Sequence, residues 1–263
     1  MVTPAHKSFH HSTKRLTRLA HGVCIRRGHP FSRTIVTGLE LRQAVAWGVR
    51  VERSNAACRA LNLGVACVGL LLAAPMMFLI AALIKLTSRG PILYTQTRVG
   101  VDRRLALGSS NHRRTHDQGG KPFTIYKFRT MYAGDSRSAP QVWATQNDPR
   151  VTPVGRVLRK YRLDELPQFL NVLRGDMNVV GPRPEQPKIF AQLRNQVPGY
   201  QTRQLVPPGI TGWAQVNQRY DTSIDDVRRK VSFDLEYVAR RSLFEDLRIL
   251  ARTVPVVLNR GGW

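Results

Sequence analysis

The chain has 263 residues and a formal charge of +24, with 41 Lys and Arg against 17 Asp and Glu. That length can bury one sizeable core with appendages, and so positive a balance calls for an anionic partner: nucleic acid, acidic lipid or a phosphorylated substrate. The scattered Cys24, Cys58 and Cys67 speak against a disulfide framework or a zinc site, and all seven histidines precede residue 120, which argues against Ser-His-Asp or His-metal chemistry further on.

Residues 1–55 are basic and irregular, with an amphipathic helix expected over Leu39–Val51. Such a segment reads as a solvated tail or as a tether to anionic headgroups, each basic residue near the surface contributing roughly 1 kcal/mol. No apolar run of signal-peptide length occurs in the first 40 residues. From Leu61 to Ile84 the chain is uncharged over 24 residues. As one helix this run reaches about 36 Å, enough for a hydrocarbon core of about 30 Å. Pro75 lies near its middle and removes the helical donor for the carbonyl of Leu71. Arg53 and Arg59 precede the run, and Lys85 and Arg89 follow it. Basic residues on both flanks give no orientation to a spanning helix. A hairpin that enters and leaves on one side satisfies both flanks, and a kinked spanning helix is the alternative.

Beyond Arg89 the texture is that of a soluble domain. Pro91–Thr97 and Pro122–Tyr126 read as two short strands, separated by a polar, glycine-rich loop at residues 103–120. Two helices are expected to meet near Tyr161–Leu163, with Asp164, Glu165 and Pro167 in the first turn of the second. Arg156, Arg159, Lys160, Arg162, Arg174 and Arg183 flank the acidic pair. These cations and the helix dipole are expected to hold Asp164 ionised and ready to attack. The alternative is an acidic turn that only caps a helix. The Gly181–Glu185 segment, G-P-R-P-E, cannot be regular helix and fixes Arg183 in a rigid turn. Helices are expected over Gln186–Gln196, Ser223–Arg240 and Leu243–Leu258. The fold class is therefore α+β, mostly helical, with a small β-hairpin. Three parts are expected: a basic tail at 1–55, a hydrophobic segment broken at Pro75 at 56–89, and a catalytic domain at 90–263.

In order along the chain stand K-F-R-T-M (Lys127–Met131), D-P-R-V-T-P-V-G (Asp148–Gly155), L-D-E-L-P-Q (Leu163–Gln168), N-V-L-R-G-D-M (Asn171–Met177), G-P-R-P-E, and P-G-I-T-G-W-A-Q-V (Pro208–Val216). Together they resemble the bacterial sugar transferases that act as monotopic polyprenyl-phosphate phosphoglycosyltransferases, over about residues 55–258. The resemblance implies transfer of a sugar 1-phosphate from a UDP-sugar to undecaprenyl (polyprenyl) phosphate, with release of UMP, as the initiating step of exopolysaccharide, capsule or O-antigen assembly. By the same resemblance Asp164 is the nucleophile that takes the phospho-sugar covalently, and Glu165 is a Mg²⁺ ligand. Lys127, Arg159 and Arg183 bind phosphate, Pro75 breaks a re-entrant helix, and Asp246 matches an aspartate without an assigned role. Relatives often carry Ser before that proline, where this chain has Ala74. The implied setting is the cytoplasmic face of a bacterial inner membrane, with membrane lipids as partners and no nucleic acid. The rival reading is a basic, membrane-anchored scaffold or nucleic-acid binder without chemistry. Against it, the cations near Asp164 alternate with Pro/Gly motifs and not with aromatic stacking platforms.

Overall fold

The computed structural model describes residues 55–102, 119–132, 148–218 and 223–258. The Leu39–Val51 helix, the basic tail and most of the 103–120 loop lie outside the described residues. The uncharged run forms α1, Asn55–Thr87, and the helix continues through Pro75 without interruption. Two half-helices separated by a break are thus one element, about 50 Å long at 1.5 Å per residue. Its composition is apolar all round, yet burial picks out one stripe: Cys58, Asn62, Ala66, Ala73, Ile80 and Ile84. Steps of four and seven residues return to the same helix face. The opposite face presents Val68, Leu71, Leu72, Phe78, Leu79 and Leu86, with Leu71 76% and Leu86 83% exposed. An uncovered apolar surface of that extent marks an interaction face.

Both ends of α1 are bonded to the same folded unit. Near its start, the Arg59 guanidinium donates to the carbonyls of Val172 (2.7 Å) and Leu173 (3.0 Å). Asn62 Oδ1 accepts the Val179 N–H. Past its end, Arg129 donates to the carbonyls of Ser88 and Arg89, both at 2.8 Å. Between these anchors, Ala66 packs with Phe123, Ile125, Val172 and Val179, and Ile80 and Ile84 pack with Phe128 and Leu158.

The two expected strands form β1 (Leu93–Val99) and β2 (Pro122–Phe128), an antiparallel pair in which Tyr94 faces Lys127. After α2 (Pro153–Lys160) comes a single 3₁₀ turn, Leu163–Glu165, and then α3 (Gln168–Arg174). A second, parallel pair joins β3 (Asn178–Val180) to β4 (Gly209–Thr211). Strands of three residues are too short to show alternation in sequence. The closeness of this pair depends on glycine: a Cβ on Gly209 would lie 2.1 Å from the Gly181 nitrogen. The remaining helices are α4 (Pro187–Gln196), α5 (Trp213–Asn217), α6 (Ile224–Arg240) and α7 (Leu243–Leu258). α6 starts where Ser223 and Asp226 form a reciprocal capping box. Asp246 is fully buried on α7 and accepts the Tyr237 hydroxyl of α6 at 2.8 Å, which gives that aspartate a structural tie.

Candidate active site

The site is built around a sharp reversal between α2 and α3. Thr152 caps α2 by accepting the Gly155 N–H at 2.8 Å, and its own N–H donates to the Thr130 carbonyl at 3.0 Å. Gly155 lies directly against that carbonyl, since a Cβ there would fall 2.1 Å from the Thr130 oxygen. α2 is thereby held flat on the K-F-R-T-M strand end. Arg162 then turns the chain with φ 55°, the one positive φ outside glycine among the described residues. Such a conformation costs about 1–3 kcal/mol in a non-glycine residue and persists where its surroundings enforce it. The Arg162 N–H donates to the Arg159 carbonyl, and its own carbonyl accepts the Glu165 N–H, each at 3.1 Å. The acidic pair therefore occupies the 3₁₀ turn ahead of α3, and Pro167 is the cap of α3 instead of an interior first-turn residue. Leu163 and Leu166, on either side of the pair, pack into the cluster formed by Ile80 and Ile84 of α1 with Phe128 and Leu158.

Asp164 and Glu165 are 9% and 7% exposed. Lys127 Nζ donates to Glu165 Oε1 at 2.7 Å and lies 3.8 Å from Asp164 Oδ2. Arg183 Nη2 donates to the same Glu165 oxygen at 2.6 Å. Arg159 stands beside them with its Nε on Thr130 Oγ1 at 2.9 Å. The structure thus gathers Lys127, Asp164, Glu165 and Arg183, with Arg159 on the adjoining wall. The other flanking cations diverge: Arg156 is exposed, Lys160 lies over the Tyr161 ring, and Arg174 donates to the Tyr126 hydroxyl at 2.6 Å. Pro75 is exposed on α1, five residues before Ile80 of that cluster.

The two carboxylates are electrostatically unlike. Burial pushes Glu165 up, but Arg183 and Lys127 outweigh it and hold the carboxyl well below its ordinary range. For Asp164 burial wins over Lys127, the charged Glu165 adds to it, and the carboxyl is raised. The cations thus favour the charged form of Asp164 less than expected, because two of them are bound to its neighbour. The cause is geometric, since the closest cation contact to Asp164 is 3.8 Å while Glu165 has two below 3 Å.

Asn171 was passed over in sequence. Wholly buried on α3, it accepts the Tyr126 N–H with Oδ1 (3.1 Å) and donates to the Thr124 carbonyl with Nδ2 (2.7 Å). Its amide takes the place of a further strand beside β2 and so fixes Lys127 against the helix that follows the acidic pair. An Asn inside a helix, a weak helix former, was the available signal. Among the described residues no group of three His, Cys, Asp or Glu side chains gathers as a metal cage. Two adjacent carboxylates do suit Mg²⁺, which commonly takes one or two together with substrate phosphates and water.

The family model described as bacterial sugar transferase matches residues 53–260. The chain is 40% identical over 204 residues to the UDP-N-acetylgalactosamine-undecaprenyl-phosphate N-acetylgalactosaminephosphotransferase of Aeromonas hydrophila, covering 78% of this chain and 44% of that protein. It is 42% identical over 198 residues to the UDP-glucose:undecaprenyl-phosphate glucose-1-phosphate transferase of Escherichia coli (strain K12), covering 74% and 39%. Against the exopolysaccharide production protein ExoY of Rhizobium meliloti (strain 1021) it is 38% identical over 220 residues, covering 78% and 87%. The matched part thus spans less than half the length of the first two relatives and most of the third.

Proposed function

Because the chain belongs to the bacterial sugar transferase family, whose model covers residues 53–260, we propose that it transfers a sugar 1-phosphate from a UDP-sugar to undecaprenyl phosphate and releases UMP. The reaction would initiate an exopolysaccharide, capsule or O-antigen type glycan. One observation carries the reading: Asp164 and Glu165 are buried side by side, with Lys127 and Arg183 closing on them from two other segments.

An Asp164 oxygen attacks the phosphorus that bears the sugar. The bond from that phosphorus to the bridging oxygen breaks, and UMP leaves with that oxygen. The resulting acyl phosphate is attacked by a phosphate oxygen of undecaprenyl phosphate, which returns the Asp164 carboxylate and completes the transfer. A buried carboxylate, poorly solvated and adjacent to one cation, is a stronger nucleophile than an exposed one. Lys127, Arg183 and Arg159 supply charge-assisted donors for the phosphate oxygens. In the resting site Glu165 occupies the first two of these. Donor binding transfers them from the Glu165 carboxylate to phosphate. Glu165, with Asp164 beside it, would then hold Mg²⁺, which when bound neutralises phosphate charge.

The geometry of α1 supports a site at a membrane surface. A helix that crossed the bilayer would carry its two ends to opposite faces, yet Arg59 and Asn62 near one end and Ser88 and Arg89 past the other bond to the same unit. We therefore place α1 in the cytoplasmic leaflet of a bacterial inner membrane without crossing it. The exposed face of α1 meets lipid, and the acidic pair lies where a soluble donor and a headgroup-level acceptor can meet. The test is UMP release by the full chain in detergent, supplied with UDP-glucose or UDP-N-acetylgalactosamine and undecaprenyl phosphate. Acceptor-dependent UMP from a UDP-sugar supports the reading, and none from a broad panel of UDP-sugars overturns it.

A further inference from the structure

Arg183 reaches Glu165 from the Gly181–Glu185 turn, and that turn cannot hold itself. Two of its residues are proline, with no N–H to give, and it belongs to no helix or strand. Its carbonyls must find donors elsewhere. Four of the five do, each from a different direction: Pro182 from the Gly209 N–H (3.0 Å), Arg183 from Arg203 Nη2 (3.0 Å), Pro184 from Arg98 Nη1 (3.1 Å), and Glu185 from the Val99 N–H (2.9 Å). The middle two donors are guanidiniums. Arg203 is fixed by Asp234 at 2.7 Å, with both side chains essentially unexposed. Arg98 stands on β1 opposite Phe123, two residues along the strand from Gln96, and donates its other Nη to Gln96 Oε1 at 2.7 Å.

Arg203 is fully buried and Arg98 half-buried; holding cations this way is expensive, and apolar packing of the same volume is often at least as stable. Each guanidinium also leaves one buried nitrogen, Arg98 Nε and Arg203 Nη1, without an acceptor among the described residues. What the arrangement secures is the backbone at Arg183 and just after it. Resting on the reading above, we propose that Arg98 and Arg203 are positioning residues that clamp the Arg183 and Pro184 carbonyls, and so set where the Arg183 guanidinium meets the donor diphosphate. Gln96 and Asp234 hold the two clamps in register.

A double-mutant cycle tests this, with UDP as the probe because it keeps both donor phosphates and lacks the sugar. Its dissociation constant is read by ³¹P titration of the full chain in detergent, in the presence of Mg²⁺. Arg98→Lys keeps the charge but cannot hold the Pro184 carbonyl and Gln96 together. It should weaken UDP binding about tenfold, the scale of one charge-assisted hydrogen bond. In an Arg183→Ala background the same change should alter binding less than twofold. Gln96→Leu, which frees the guanidinium and leaves it charged, should behave likewise and serves if Arg98→Lys does not fold. Equal losses with and without Arg183 would show that Arg98 acts on the nucleotide or on the fold at large, and no loss in either background would show that the turn needs no clamp. Both outcomes overturn the proposal. If the unaltered chain does not bind UDP at all, the donor reading fails first and the clamp fails with it.

Discussion

Gly155→Ala should damage both stability and activity, although it exchanges the poorest ordinary helix former for the best. The added Cβ would lie 2.1 Å from the Thr130 oxygen and 2.7 Å from its carbonyl carbon and Cα, all backbone atoms that cannot rotate aside. Relief requires α2 to move off the strand end by about 1 Å, an overpacking cost of about 1–3 kcal/mol. That movement stretches the 3.0 Å bond from Thr152 N–H to the Thr130 carbonyl and the 2.9 Å bond from Arg159 Nε to Thr130 Oγ1. Each lost bond adds about 1 kcal/mol. A total of roughly 3–5 kcal/mol is a large fraction of a usual domain stability and should lower Tm by on the order of 10 °C in a chain of this size. Because Arg159 moves with α2, UMP release should also fall about tenfold or more. The matched control is Gly64→Ala on α1, where an added Cβ meets nothing within 4 Å. It should leave Tm unchanged or raise it slightly. Thermal unfolding and UMP release of both variants in the same detergent decide the matter. A Gly155→Ala protein as stable and active as the original would refute the packing of α2 on Thr130.

Three further outcomes follow from the same geometry. Burial raises Asp164, with the charged Glu165 contributing after the opposing Lys127, so the rate of UMP release should decline on acidification through a pH above the ordinary aspartate range. Glu165→Gln removes the like charge and should shift that limb to lower pH, and an unmoved limb would contradict the assignment. Burial also pushes Glu185 upward, but Lys230 and Arg203 outweigh it and hold the carboxyl at about 2 against an ordinary 4.5. Its contribution, on the order of 3 kcal/mol, is therefore fully present above pH 4.5 and lost as pH falls toward 2. Urea midpoints of Glu185→Gln and the original should differ at pH 7 and draw together at pH 2.5, and an equal gap at both would contradict the assignment. Finally, single cysteines at Ser54 and Thr87 in a cysteine-free background should both resist an impermeant reagent in intact spheroplasts. Labelling of one alone from outside would mean that α1 crosses the membrane.

Much of this was legible because local chemistry and tertiary role coincide. The uncharged run gave α1, Pro153 and Pro187 stand at helix starts, and the Ser223 capping box opens α6. The acidic pair and three of its cations could be named because they sit in short Pro/Gly motifs whose backbone is constrained. Other features depended on partners remote in sequence. Nothing near Asp164 announces that Lys127 and Arg183 close on Glu165 instead, a choice made by how β2 and the Gly181–Glu185 turn approach. β3 and β4 are three residues each and pair across 31 positions, so no periodicity could reveal them. Asn171 and the two clamping arginines look like ordinary polar residues until their acceptors, 20 to 86 positions away, are in place. The continuity of α1 runs against the break expected at Pro75, because proline removes one bond without dictating what the flanking turns do.

The covalent step at Asp164 is the claim on which the rest depends. It is tested most directly by mixing the full chain with its UDP-sugar in the absence of undecaprenyl phosphate, quenching in acid, and reading the intact mass and the Asp164 peptide. The expected result is an added sugar phosphate on Asp164, formed together with one UMP per site, discharged when undecaprenyl phosphate is supplied, and absent from Asp164→Asn. Acceptor-dependent UMP release with no adduct at Asp164, or with undiminished turnover in Asp164→Asn, would contradict it.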